Sequence, residues 1–241
     1  MDFSETDEQI MIRELVRAFA EDVLSKTVEE RDKMQKSPLD EWKLFCELGL
    51  QGTAIPEKYG GNPLDDISEV ITTEELARID PSFSVFYAVH VGLCSKTIAL
   101  NANEAQKEKY LPLLAGGKVG AYSLSEAGSG TDAGAMSAKA TLSDDESHYI
   151  LNGEKMWVTN GASADIFVLF AKVTNHEDFG IKKHGGTTAF ILEKGTEGFS
   201  VGKKEDKLGI RSSDTVTLIL ENCKVPKENV LGEVGKGFSI A

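Results

Sequence analysis

The chain has 241 residues, 41% of them hydrophobic and 27% charged, which is enough to bury the core of one large domain or two modest ones. Its formal net charge is -13, so it lacks the basic footprint of a nucleic-acid binder and is repelled by anionic membrane surfaces. The bland use of such a charge is solubility.

The first half reads as helices. Thr6 to Gln9, TDEQ, is a capping box, and Ile12, Leu15, Val16, Phe19 and Val23 follow at helical spacing. Ser37 and Pro38 mark a second start, with a helix through Trp42, Leu44, Phe45 and Leu48 that stops at Gly49. IPEKYGGNP reads as loop and ISEVITTEELARID as helix again. Asp80 and Pro81 open DPSFSVFYAVHVGLCSKTIAL, which is apolar nearly all round and is expected in the middle of a bundle. Ser84, His90 and Lys96 speak against a membrane span. NEAQKEKYLPLLAGG reads as an amphipathic helix broken at Pro112.

From Lys118 the period changes. GAYSLS, HYILNGEKMWVTNG, DIFVLFAKV, TTAFILE and VTLILENCKV are short, β-branched and aromatic, with turn residues between them. Asn152-Gly153 is the strongest local hairpin signal. SDDES and NHEDFGIKKHGG read as surface connections. The expected fold is an all-α N-terminal bundle, residues 1–117, followed by an antiparallel β-barrel or sandwich domain, 118–232. Residues 233–241 read as the start of a further helix, and an ending inside it favours a truncation.

Cys46, Cys94 and Cys223 are scattered, with no CxxC. No zinc site is expected, and a reducing, cytoplasmic compartment fits. The acidic opening MDFSETDEQ resembles neither a signal nor a transit peptide.

Ala121 to Met136, AYSLSEAGSGTDAGAM, leaves a strand and turns glycine-rich. Gly128, Gly130 and Gly134 let a backbone approach a ligand, its amides can cradle phosphate oxygens, and Ser125 and Thr131 add hydroxyls. On chemistry alone, a ligand loop and a tight surface turn stand level.

YSLSEAGSGTD and KMWVTNG (Lys155 to Gly161) resemble the two flavin-contacting signatures of the acyl-CoA dehydrogenases, and the resemblance extends over the helical half and the tail LGIRSSDT…LENCKVPKENVLGEVGKGF. It implies that the β domain holds FAD against an acyl-CoA thioester. A carboxylate base then takes the α proton, a β hydride passes to the flavin, and electrons leave to an electron-transfer flavoprotein. The implied cofactor residues are Tyr122, Ser125, Glu126, Gly130, Thr131, Trp157 and Thr159. Ser125 and Thr159 offer hydroxyls to the ring, Trp157 lies against it, and Thr131 also sits near the substrate. The resemblance further implies a tetramer and a catalytic base in a third, helical domain, leaving this chain without the base.

Plainer readings stand beside these. Trp157 alone reads as a core aromatic, and Glu126 as a loop-shaping acid rather than a base. His90 reads as a satisfied core histidine, and His148, His176 and His184 as solvated. Arg211 and Asp214 read as an ion pair or turn, and Glu29, Glu30 and Asp32 as a wet helix face. Competing functions are an acyl-CoA oxidase or flavin monooxygenase on the same scaffold, or a non-catalytic interaction module.

Overall fold

The computed structural model describes residues 4–174 and 186–241; His176 and His184 lie outside them. Seven helices come first: α1 (Asp7–Asp22), α2 (Val28–Met34), α3 (Leu39–Cys46), α4 (Asp66–Ile79), α5 (Pro81–Ala88), α6 (Lys96–Asn101) and α7 (Glu104–Ala115). The β region follows, with β1 (Gly120–Ser123), β2 (Lys139–Leu142), β3 (His148–Thr159), β4 (Ile166–Val173), β5 (Thr187–Glu193), β6 (Phe199–Lys204), β7 (Thr215–Pro226) and β8 (Val230–Leu231). A short α8 (Gly237–Ile240) ends the chain.

The capping box at Thr6 forms in both directions, with Gln9 N–H to Thr6 Oγ1 at 3.2 Å and Thr6 N–H to Gln9 Oε1 at 3.0 Å. Asp80 caps α5 through Phe83 N–H, with Pro81 at the first helical position. Val89–Ser95 continues α5 into α6 as a π-helical segment, so Pro81 to Asn101 is one long helix. That helix is long and apolar enough to cross a membrane by composition, yet Phe83, Phe86, Tyr87, Val91, Cys94 and Ile98 are buried in the core.

Three local expectations are corrected. Ser37 does not cap α3; its hydroxyl donates to Asp214 Oδ2 at 2.8 Å and so ties the helices to the turn before β7. Pro112 does not break α7, which runs through it, because Tyr110, Leu111 and Leu114 hold both flanks of the proline in the core. Asn152-Gly153 makes no hairpin, since β3 continues across both residues. Asn152 Oδ1 instead accepts Asn222 N–H at 2.8 Å across a register shift with β7. Gly153 has φ +142°, and a Cβ there would stand 2.8 Å from Ala138 Cα. The pair makes an irregularity that lets β2 approach; the β2–β3 turn lies at SDDES.

Among the described residues the sheet runs β6-β7-β3-β2-β4-β5-β8, with β1 on β4, and it is open, so no barrel closes. It is also mixed rather than wholly antiparallel. β1 pairs with β4 in parallel, Gly120 opposite Ile166, and β2 with β4 likewise. Parallel neighbours need a long connection, and the chain between Ser123 and Ile166 supplies it. Periodicity did not reveal β2, β6 or β8, which are short or lack an apolar phase.

Helices and sheet interlock. Gly120 lies so close to the long helix that a Cβ would meet Cys94 Sγ at 2.7 Å. Gly120 N–H donates to His90 Nδ1 at 3.0 Å, and the other ring nitrogen, Nε2, donates to the Gln51 carbonyl at 3.1 Å. His90 is therefore a satisfied core histidine, held neutral by a burial that pulls its pKa down to about 4. The buried Arg31 pairs with Asp80 and Glu41 and donates to Ser212, joining α2 to the loop before β7. Glu29 and Glu30 are exposed as expected, whereas Asp32 accepts Arg211 N–H at 2.9 Å.

Candidate functional site

The site begins with a fault in β3. Lys155 pairs with Leu218 and Val158 with Val216, so two residues, Met156 and Trp157, stand opposite the single Thr217. This is a β-bulge, which frees the extra residue from the ladder and re-aims its neighbours. Met156 N–H turns away from β7 and donates to Ser125 O at 2.9 Å. The two stretches singled out in the sequence are thus joined directly, backbone to backbone.

Trp157 takes φ +56° and is 58% exposed. The left-handed region is uncommon for any side chain and an outlier for a bulky one, costing on the order of 1–3 kcal/mol. Here a flat apolar ring is held out toward solvent at that cost. The core reading of Trp157 is therefore corrected: Val158, one residue on, faces the core instead.

Beneath the bulge lies a buried ion pair. Lys155 is fully buried, and its Nζ donates to Glu126 Oε1 at 2.8 Å and to Leu124 O at 3.0 Å. Glu126 also accepts Ala138 N–H at 3.1 Å, Ser137 N–H at 2.5 Å and the Ser137 hydroxyl at 2.7 Å. Burial alone would raise the Glu126 pKa; the Lys155 ammonium and the Ser137 N–H outweigh it and hold the carboxyl below its usual value. Burial pulls Lys155 down, against the pull of Glu126. Glu126 is thus the loop-shaping acid expected, with its acceptor capacity spent.

The remaining candidates fall around this junction. Tyr122 and Ser125 are half-buried in and just after β1, with the Tyr122 ring 5.2 Å from that of Phe170. Thr159 is half-buried at the end of β3, opposite Thr215. Gly130 and Thr131 are exposed in the loop after the Glu126–Ser129 turn. A Cβ at Gly128 or Gly130 would meet nothing within 4 Å, and neither has positive φ. Neither glycine is required by steric crowding or by a left-handed backbone. A cavity of 510 Å³ between α4 and the long helix is lined by Val70, Thr73, Ala77, Ala88, Val91 and Gly92 and by no residue of either stretch. The candidate site is an open face carrying an indole, hydroxyls and loop amides.

The sequence reading assigns no fastening role to three residues, Lys155 and Asn160 of the second stretch and Asp214 of the expected turn. Lys155 was legible in principle, because it falls on the apolar phase of β3 with Tyr149 and Leu151. Asp214 and Asn160 carried no such signal. Buried Asp214 accepts Ala162 N–H and the hydroxyls of Ser163 and Ser37, and its carbonyl accepts Asn160 N–H. Asn160, with φ +64°, donates to Phe86 O at 2.9 Å and Gly120 O at 3.2 Å. Together they fasten the turn after Thr159 to both β1 and α5. Arg211 and Asp214 sit at a turn but do not pair; Arg211 reaches Asp206 at 3.4 Å.

Comparison with known proteins agrees with this arrangement. The acyl-CoA dehydrogenase N-terminal domain matches residues 6–118 and the middle domain residues 121–223. A short-chain-specific acyl-CoA dehydrogenase of Clostridium acetobutylicum is 43% identical over 242 residues, covering 100% of this chain and 62% of the relative. A chain in a structure described as the electron transferring flavoprotein of Acidaminococcus fermentans superposes with TM-score 0.92 at 44% identity, over 100% of this chain and 62% of that one. An acyl-CoA dehydrogenase of Bacillus anthracis, solved with FAD, superposes with TM-score 0.89 at 40% identity, over 98% of this chain and 40% of that one. The chain thus spans less than two thirds of the length of these relatives. With both domain families matched in order across most of its length, it belongs to the acyl-CoA dehydrogenase family.

Proposed function

We propose that this chain is the cofactor- and thioester-holding part of an FAD-dependent acyl-CoA dehydrogenase that converts a short-chain acyl-CoA to its trans-2-enoyl thioester. The observation that carries the reading is the junction of the two stretches, Met156 N–H on Ser125 O beside an exposed Trp157 held at positive φ. The donor set fits a flavin: a flat indole for its face, the Ser125 and Thr159 hydroxyls for its polar edge, and unobstructed glycines where phosphates would approach. FAD, when bound, supplies the acceptor for the β hydride.

In this reading Trp157 would shield one face of the ring from water, and the Ser125 and Thr159 hydroxyls would donate hydrogen bonds to its polar edge. Thr131 and Gly130 serve phosphates and thioester; Tyr122 and Glu126 support the loop. The short acyl chain follows the specificity named for the Clostridium relative. Electrons leave to an electron-transfer flavoprotein, a partner in keeping with the Acidaminococcus structure. The setting is cytoplasmic and the working assembly a tetramer.

The α-proton base must stand about 3 Å from its proton. Glu126 cannot serve, because every lone pair that matters is engaged with Lys155, Ser137 or Ala138. The base is accordingly assigned to the family's third domain. The test reconstitutes the 241-residue chain with FAD and follows flavin fluorescence, then adds short and medium acyl-CoA without oxygen. FAD should bind and remain oxidised. Failure to bind FAD defeats the cofactor reading, and rapid bleaching defeats the assignment of the base elsewhere.

A further inference from the structure

We propose that Lys155 and Glu126 are a positioning pair whose task is to lock the first flavin stretch onto the bulge of the second, fixing Ser125 and Trp157 relative to each other. The proposal rests on the reading that these stretches hold FAD.

Stability alone does not explain burying two charges. Well-packed apolar residues of similar volume are often as stabilising as a buried ion pair, or more so. Geometry does explain it. One ammonium grips both neighbours of Ser125, the Leu124 carbonyl at 3.0 Å and the Glu126 carboxylate at 2.8 Å. The Ser125 carbonyl is gripped by Met156 N–H, the residue after Lys155. Three consecutive residues are therefore fastened to two consecutive ones. Glu126 carries the lock onward to Ser137 and Ala138 at the entry to β2. Trp157 follows at once, in a conformation that persists only where its surroundings over-determine it. An apolar pair could fill the same volume but could not hold the Leu124 carbonyl, so the loop would keep its fold and lose its register.

The pair is tested with Lys155→Met, Glu126→Gln and the double variant. Leu76→Ala, a buried truncation in α4, serves as the control for general destabilisation. Two readouts are taken well below each variant's melting temperature: hydrogen exchange at the Met156 amide, and the FAD dissociation constant by flavin fluorescence. Lys155→Met should speed Met156 exchange and weaken FAD, each by about tenfold or more, the scale of one lost placed hydrogen bond to a charged group. Glu126→Gln keeps an acceptor for Lys155 and should lose less. The double variant should lose no more than Lys155→Met, since residues acting as one unit are non-additive. Leu76→Ala should change neither readout. Unchanged exchange and affinity in folded Lys155→Met, or an equal change in Leu76→Ala, overturns the proposal. If the unaltered chain binds no FAD, the function proposed above fails, and Met156 exchange in Lys155→Met and Leu76→Ala still decides the pair.

Discussion

Trp42 is 2% exposed, with rings of Phe45, Phe83, Phe86 and His90 within 6.3 Å and its indole N–H donating to Gly117 O at 2.9 Å. Trp157 is 58% exposed, with its backbone in the left-handed region. The first sits where helical period, ring packing and polar satisfaction agree. The second breaks the preferences for burial and for φ at once, directly beside the buried Lys155–Glu126 pair. Places where local rules fail while the surroundings insist are where function is expected. The helical region thus teaches how the chain stays folded, and the bulge in β3 where its candidate site lies.

The largest expected effect that could break this contrast is Trp42→Ala. It empties an aromatic cluster and leaves the Gly117 carbonyl without its donor, so unfolding in denaturant should show a loss of about 3–5 kcal/mol. A loss under about 1 kcal/mol would mean the cluster repacks freely and the contrast is overdrawn.

His90 extends the contrast to pH. Its folded pKa, about 4, lies below the unfolded value of about 6.5, so the unfolded chain binds more protons between the two. The stability it contributes is complete above pH 6.5 and is lost as pH falls to 4, an amount of about 3 kcal/mol. Melting curves from pH 7 to 4 should fall along that window, and His90→Gln should flatten the fall. Parallel curves for the two proteins would rule His90 out as the acid-sensitive group of the helical core.

Ser37→Ala sharpens the boundary between the regions. It removes one hydrogen bond to buried Asp214, which keeps its donors from Ala162 and Ser163. A cost of about 1 kcal/mol is expected in denaturant unfolding, and a neutral result would show that this tie does not bind helices to sheet.

The smallest stability effect should come from Trp157→Gly. Relief of the left-handed backbone offsets the lost contacts, leaving stability within about 1 kcal/mol of the parent. FAD titration should nevertheless show clearly weakened binding. A stability loss above about 2 kcal/mol with FAD affinity retained would return Trp157 to the role of an ordinary packing residue.

The site was legible in the sequence to an uneven degree. The two stretches carried it, and the Ser125–Met156 bond joins them in the fold. The fastening was not legible. Nothing local marks Asp214 or Asn160 as the residues that hold the turn after Thr159, because their partners Ser37, Phe86 and Gly120 are distant in the chain. Asn152-Gly153 misled for a related reason. The dipeptide permits a turn, but only its neighbours decide whether the freedom is used to reverse the chain or to admit Ala138.

By itself the sequence determined what repeats with short range. The capping box at Thr6, the start at Asp80-Pro81, the buried long helix and the change from a period near 3.6 to one near 2 are written in neighbouring residues, whose energetics are local. Tertiary structure alone decided the parallel pairing of β1 with β4, the open mixed sheet, the passage of α7 through Pro112 and the bulge that sets Trp157 outward. Those choices depend on which distant surface, carbonyl or charge is at hand once the chain has collapsed. Lys155 stands at the border between the two. Its place on the apolar phase of β3 is in the sequence, but only the arrival of Glu126 and Leu124 O makes that place tolerable for a charge.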